Sequence, residues 1–268
     1  MMKQLLIVCG LVLIILWLLF YIFQRHLVYI PSSQLPNLNK HKINGLQTVS
    51  LHTSDGLKLL SWYKPALLNQ PTLLFLHGNA GNIEDRLFLA KDFFLEGFGV
   101  LLLEYRGYGG NQGKPSELGF YTDARAGLNF LHKLGIKSDQ IVLYGESLGT
   151  GVATQMATED SFCALVLQSA YTSLPDLAHY HYPWIWMKPW DKFDSISKIG
   201  KIKTPLLSLH AKKDTIVPYA LGLEVFQKAQ SPKLMISFEN MNHNDLWHAP
   251  KFAQQVNEFI KNHCHKDF

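Results

Sequence analysis

Three residues of this chain are spaced as the parts of an acyl-transfer centre would be. Ser147 lies in Ile141-Val-Leu-Tyr-Gly-Glu-Ser-Leu-Gly-Thr-Gly, an apolar run that ends in Gly-Glu-Ser-Leu-Gly and passes into a small-residue helical start. This is the pattern of a nucleophile elbow, in which a strand turns sharply into a helix and the Ser at the turn holds its hydroxyl in the open. Gly145 and Gly149 carry no Cβ, so strand and helix can approach closely around a strained Ser backbone. A Ser hydroxyl is a weak nucleophile at neutral pH. It needs a His to take its proton, and that His needs a carboxylate to fix its tautomer and stabilise its cation. Where a chain carries such an elbow, the order along it is Ser, then acid, then His. Asp214 follows the apolar run Leu206–Leu209, in His210-Ala-Lys-Lys-Asp-Thr-Ile-Val-Pro. His243 follows the last apolar run, Leu234–Phe238, in Glu239-Asn-Met-Asn-His-Asn-Asp.

Each candidate has a rival. An Asp before Thr and Pro is also a common turn residue. The segment after Ala164–Leu167 (Gln168-Ser-Ala-Tyr) offers no carboxylate, which favours Asp214. His248 competes with His243 but falls near the start of the final helix. Asp245 reads as a cap or a loop hydrogen-bonder. A tetrahedral oxyanion needs two aimed N–H groups. One is expected from Leu148, at a helix start where free N–H groups point outward. The other is expected from Asn79, in the His77-Gly-Asn-Ala-Gly-Asn loop after Thr72–Leu76.

These residues need a frame that brings strand ends together. Leu46–Thr53 and Leu57–Lys64 flank Ser54-Asp55-Gly56, a hairpin signal. Short apolar runs then follow at Thr72–Leu76, Val100–Leu103, Ile141–Tyr144, Ala164–Leu167, Leu206–Leu209 and Leu234–Phe238. Between and after them lie stretches of helical pattern, among them Ala124–Leu134, Leu221–Ala229 and Phe252–Asn262. Short buried strands alternating with helices predict an α/β fold, a mostly parallel sheet covered on both faces. Such sheets carry their chemistry at the carboxyl ends of the strands, where every polar motif above falls.

The amino terminus is of another kind. Leu5 to Phe23 is 19 residues without a charge. As a helix it spans roughly 28 Å, close to the bilayer hydrocarbon thickness. A cleaved signal would have a shorter apolar core and small residues after it. Here Gln24-Arg-His-Leu-Val-Tyr follows, and Trp17, Tyr21 and Arg25 read as interfacial anchors. The expected layout is a short tail (1–4), an anchor helix (5–23), a juxtamembrane tether (24–44) and one domain (45–268). The polar, turn-rich part of the tether, 31–44, reaches at most about 50 Å. Flanking charge does not decide the orientation. A single N-terminal anchor most often exports its domain, so the domain is expected to be extracytoplasmic.

Net charge is +4, and no basic run with interleaved aromatics points to nucleic acid. Cys9, Cys163 and Cys264 imply no disulfide framework and form no metal-ligand spacing, so no cofactor or metal is expected.

Taken together, HGNAGN, EYRGYGGNQGKPSE, GESLGTG, HAKKDTIVP and NHNDLW resemble the α/β-hydrolase superfamily over about residues 46–262. Within it they resemble the membrane-anchored serine hydrolases related to the yeast bud-emergence protein and to animal protein depalmitoylases. The resemblance implies an eight-stranded sheet, a Ser147–His243–Asp214 triad and an ester or thioester substrate. The apolar N-terminus, which keeps the site near a bilayer, shifts the expected substrate toward a lipid or an acylated protein. The chain departs from the family at Ala211, where Gly is frequent, at Asn111, where Ser is usual, and at Met241-Asn242, where a Gly commonly precedes the His. A short cap insertion is expected at about 174–200. Its aromatic segment Tyr180–Trp190 lines an acyl pocket through Tyr182, Trp184 and Trp186, dips into the membrane surface, or packs over the core. The expected activity is hydrolysis of carboxylic esters or thioesters. A peptidase acting on short peptides and a catalytically silent, membrane-tethered binding module are the alternatives.

Overall fold

The computed structural model describes residues 2–184 and 189–264. Eight strands form one sheet: β1 (Gln47–His52), β2 (Lys58–Lys64), β3 (Thr72–Leu76), β4 (Gly99–Leu103), β5 (Ile141–Glu146), β6 (Ala164–Gln168), β7 (Leu206–Ala211) and β8 (Lys233–Phe238). Their spatial order is β8-β7-β6-β5-β3-β4-β2-β1. The β1–β2 hairpin is antiparallel and β2 is antiparallel to β4, while the pairs from β4 to β8 are parallel.

The apolar runs of the inner strands are continuous because both faces of the sheet are covered there. In β3, Leu74 and Leu76 enter one core while Leu73 and Phe75 enter the other. β4 divides the same way, Leu101 and Leu103 against Val100 and Leu102. This period of two in a continuous apolar run is what a doubly covered parallel sheet requires. The first core takes α3 (Glu117–Lys133), α4 (Leu148–Met156), α5 (Leu174–His181) and α6 (Tyr219–Lys228). The second takes α2 (Leu87–Leu95) and α7 (Phe252–Cys264). α3 begins at Glu117, ahead of the expected Ala124, and its buried face already includes Phe120 and Tyr121. Ser116 caps it by accepting from the Gly119 N–H, and Glu117 sits in its positive first turn.

Two features differ from expectation. Cys163, just ahead of β6, and Cys264, at the end of α7, form a disulfide across a sequence separation of 101. Sequence spacing could not show this, because only the folded sheet brings α7 alongside β6. The stretch expected as a tether is also not a free spacer. The apolar N-terminal helix α1 (Met2–Val28) is long and apolar enough to cross a membrane. Directly after it, Ile30 and Pro31 pair in parallel with Ala80 and Gly81. Further on, Glu84 takes hydrogen bonds from the Asn37 N–H and the His41 ring. The chain leaving α1 is therefore laid along the loop after β3.

Candidate active site

Ser147 stands between β5 and α4 with φ 50° and ψ −116°. A side-chain-bearing residue rarely adopts this conformation, so its surroundings must enforce it. The Ser147 N–H donates to the Gln168 carbonyl at 2.8 Å. The two glycines do what their spacing predicts. A Cβ on Gly145 would lie 2.6 Å from the Gly149 carbonyl oxygen, and one on Gly149 would run into the Leu76 and His77 carbonyls.

The loops after β7 and β8 bring the other two residues to the same point. His243 Nε2 is 3.0 Å from Ser147 Oγ, and His243 Nδ1 is 2.7 Å from Asp214 Oδ2. Asp214 Oδ1 accepts from the Ile216 and Val217 N–H groups at 2.9 and 2.7 Å. Burial alone would raise the Asp214 carboxyl. The hydrogen bond and positive charge of His243, with the Val217 N–H, outweigh burial and hold it below the usual carboxylate range. His248 lies elsewhere, with its ring against Phe88. Asp245 accepts from the Asn242 N–H at 2.6 Å, the loop role expected of it.

Two residues here were not singled out from the sequence. The Asn242 side-chain oxygen takes the N–H and the hydroxyl of Thr215 as well as the His243 N–H, so it joins the acid loop to the base loop. That explains what stands where a Gly commonly precedes the His. His210, at the end of β7, donates from Nε2 to the Val217 carbonyl at 2.9 Å and lies 3.5 Å from Asp214 Oδ2. Burial lowers its pKa and keeps it neutral behind the acid. A His four residues ahead of the acid was the signal available for it.

Asn79 and Leu148 both border the groove beside Ser147. Leu148 is the first residue of α4, so its N–H has no helical carbonyl to bond. The Asn79 side chain is committed elsewhere, donating to the Val28 carbonyl at 2.7 Å, which leaves only its main chain to serve an oxyanion. The Asn79 carbonyl in turn accepts from the Ile30 N–H and from the Tyr108 hydroxyl. The Glu104-Tyr-Arg-Gly-Tyr motif braces this loop. Glu104 takes the Ile83 N–H at 3.0 Å and faces His77 Nε2 at 3.1 Å.

Residues 71–185 match a protein family described as alpha/beta hydrolase fold. An uncharacterized protein of Mycobacterium tuberculosis is 37% identical over 228 residues, covering 83% of this chain and 81% of its own. Protein bem46 of Schizosaccharomyces pombe is 32% identical, with 90% of this chain and 86% of that one covered. The chain belongs to the α/β-hydrolase family. Human alpha/beta hydrolase domain-containing protein 17B is 29% identical to this hydrolase, covering 81% of the chain and 76% of the relative. Among solved structures, an esterase of Pyrococcus furiosus superposes with a TM-score of 0.73 at 21% identity, covering 88% of the chain and 99% of the esterase. That likeness shows the shared fold.

The hydrolase keeps a second charged group beside the nucleophile. Glu146 is buried and held by the Arg86 fork at 3.0 and 3.1 Å, while Arg86 Nη1 donates to the Ala80 carbonyl. Burial pushes the Glu146 carboxyl up, but the Arg86 charge and hydrogen bonds win and hold it below its ordinary value. A depressed carboxyl contributes stability that is complete above its unfolded pKa, about 4.3, and is lost as pH falls through the folded value. Arg86→Met leaves Glu146 buried and unpaired, which costs about 3–5 kcal/mol. The expected result is a melting midpoint lower by roughly 10 °C at pH 7. The gap to wild type is smaller at pH 4, because burial without Arg86 raises the variant's Glu146 carboxyl and it has by then taken up a proton. An equal gap at both pH values contradicts this account.

The groove at Ser147 has a volume of about 470 Å³ and is mainly apolar, with Leu27, Val28, Tyr171, Leu174 and Leu177 among its walls. Of the three aromatics expected to bind substrate, Tyr182 lines it. Trp184 does not: it is 70% exposed and packs edge-on against Tyr182. Trp186 lies outside the described residues.

Proposed function

We propose that this hydrolase is a membrane-anchored serine esterase or thioesterase acting through an acyl-enzyme on Ser147. The observation that carries the reading is the continuous hydrogen-bond line from Asp214 through His243 to Ser147 Oγ, at 2.7 and 3.0 Å. His243 takes the Ser147 proton as Oγ attacks the carbonyl carbon, then returns it to the departing alcohol or thiol. Asp214 holds Nδ1 protonated and stabilises the imidazolium. The N–H groups of Leu148 and Asn79 take the negative oxygen. Water, activated by His243, then releases the acid and frees Ser147. The apolar groove favours the acyl side of such a substrate over a charged peptide.

The charge-free stretch of α1 supports an anchor, and the Cys163–Cys264 disulfide supports a domain on the oxidising side of that membrane. The test is turnover of p-nitrophenyl esters and acyl thioesters of graded chain length against aminoacyl anilides, with the full chain in detergent. Ester and thioester cleavage with negligible anilide cleavage is expected. Preferential anilide cleavage overturns the reading in favour of a peptidase.

A further inference from the structure

The end of α1 is built into the site. Gln24 is buried, and its side-chain oxygen accepts from the Trp190 N–H at 2.7 Å. Arg25 forks onto Asp191 at 2.8 and 2.9 Å, and the same carboxylate takes the Tyr29 hydroxyl and the Glu117 N–H. Tyr21 packs edge-on against Trp190, 5.3 Å between ring centroids, and stacks on Trp17. Where α1 ends, the Val28 carbonyl holds the Asn79 side chain, and Leu27 and Val28 form one wall of the groove that contains Ser147. Leu27 stands at the rim, 61% exposed.

Geometry along the helix gives the depth of that wall. The charge-free stretch ends at Phe23, and Val28 lies about 7.5 Å further along the axis. One headgroup layer of a bilayer is about 5–8 Å thick. With residues 5–23 filling the hydrocarbon, the groove mouth sits at headgroup level, with Tyr21 and Trp190 placed as interfacial aromatics beside it. At that depth the ester or thioester carbon of a membrane-resident acyl group leaves the hydrocarbon.

We propose that the acyl chain of a membrane-resident ester or thioester enters the groove directly from the bilayer along Leu27 and Val28, so that the anchor helix is also the wall that sets chain-length preference. This rests on Ser147 being the nucleophile, and the experiment separates the two. The full chain is reconstituted in phosphatidylcholine vesicles and assayed on p-nitrophenyl butyrate and palmitate, with fluorophosphonate labelling as the check that the site is assembled. In Leu27→Glu the palmitate-to-butyrate ratio of kcat/KM falls at least about tenfold. In Leu95→Glu, on the exposed end of α2, the ratio stays at the wild-type value. Val28→Ala, which enlarges the same wall without adding charge, also shifts the ratio. Wild-type palmitate hydrolysis is at least about tenfold slower when ester and enzyme occupy separate vesicles, because the chain must then cross water. An unchanged ratio in both wall variants that label normally, or equal rates from shared and separate vesicles, overturns the proposal. A wild-type protein that neither cleaves butyrate nor labels overturns the hydrolase reading itself, and the bilayer route with it.

Discussion

Replacing Ser147 with Ala is expected to remove fluorophosphonate labelling and to lower kcat/KM on short-chain esters by roughly ten-thousand-fold or more. The size follows from chemistry, since Ser147 Oγ is the hydroxyl that His243 Nε2 faces and can deprotonate. His243 Nε2 faces Ser147 Oγ at 3.0 Å, and without that oxygen the reaction is left with groove binding and two N–H groups. The fold should survive. An Ala at φ 50° carries the same Cβ as Ser, and the Ser147 N–H bond to Gln168 is made by the main chain. Combining Ser147→Ala with His243→Ala should cost little more than either alone, because the two act as one unit. A Ser147→Ala protein that keeps its melting midpoint and more than a tenth of its activity contradicts the account.

Asp214→Asn should cost nearly as much, roughly ten-thousand-fold in kcat with KM little changed. The Ile216 and Val217 N–H groups point at Oδ1, so an amide at this position must keep its oxygen there. Its NH2 then faces His243 Nδ1 in place of Oδ2. The imidazole must accept on Nδ1 and carry its proton on Nε2, where it can no longer receive the one from Ser147. An Asp214→Asn enzyme within tenfold of wild type, measured as the steady-state rate on p-nitrophenyl butyrate, contradicts this.

Much of this was readable along the chain, for a physical reason. A doubly covered parallel sheet makes each strand a continuous apolar run, so Thr72–Leu76 announces β3 and the following His77-Gly-Asn loop falls at its carboxyl end. The elbow at Ser147 has its own local pattern, and the order Ser147, Asp214, His243 is the one expected of a chain that carries such an elbow. What was not readable depends on contacts between distant segments with no local pattern. Cys163 and Cys264 meet only because α7 packs beside β6. Residues 31–44 look like a spacer because they are polar, yet their main chain and Asn37 dock on the loop after β3. The position of Asn79 after β3 is legible, but nothing in the sequence says that its side chain grips Val28. Trp184 and Tyr182 are two residues apart in one aromatic cluster, and only Tyr182 reaches the groove.

The central claim is that Ser147 carries the acyl group in a covalent intermediate. The most direct measurement is peptide mass mapping of the full chain after brief reaction with an acyl ester and acid quenching. The expected result is the acyl mass on the peptide containing Ser147 in wild type, far less of it after the same brief reaction in Asp214→Asn, whose His243 cannot take the Ser147 proton, and none in Ser147→Ala. An acyl mass on any other residue, or ester turnover by Ser147→Ala at the wild-type rate, would contradict it.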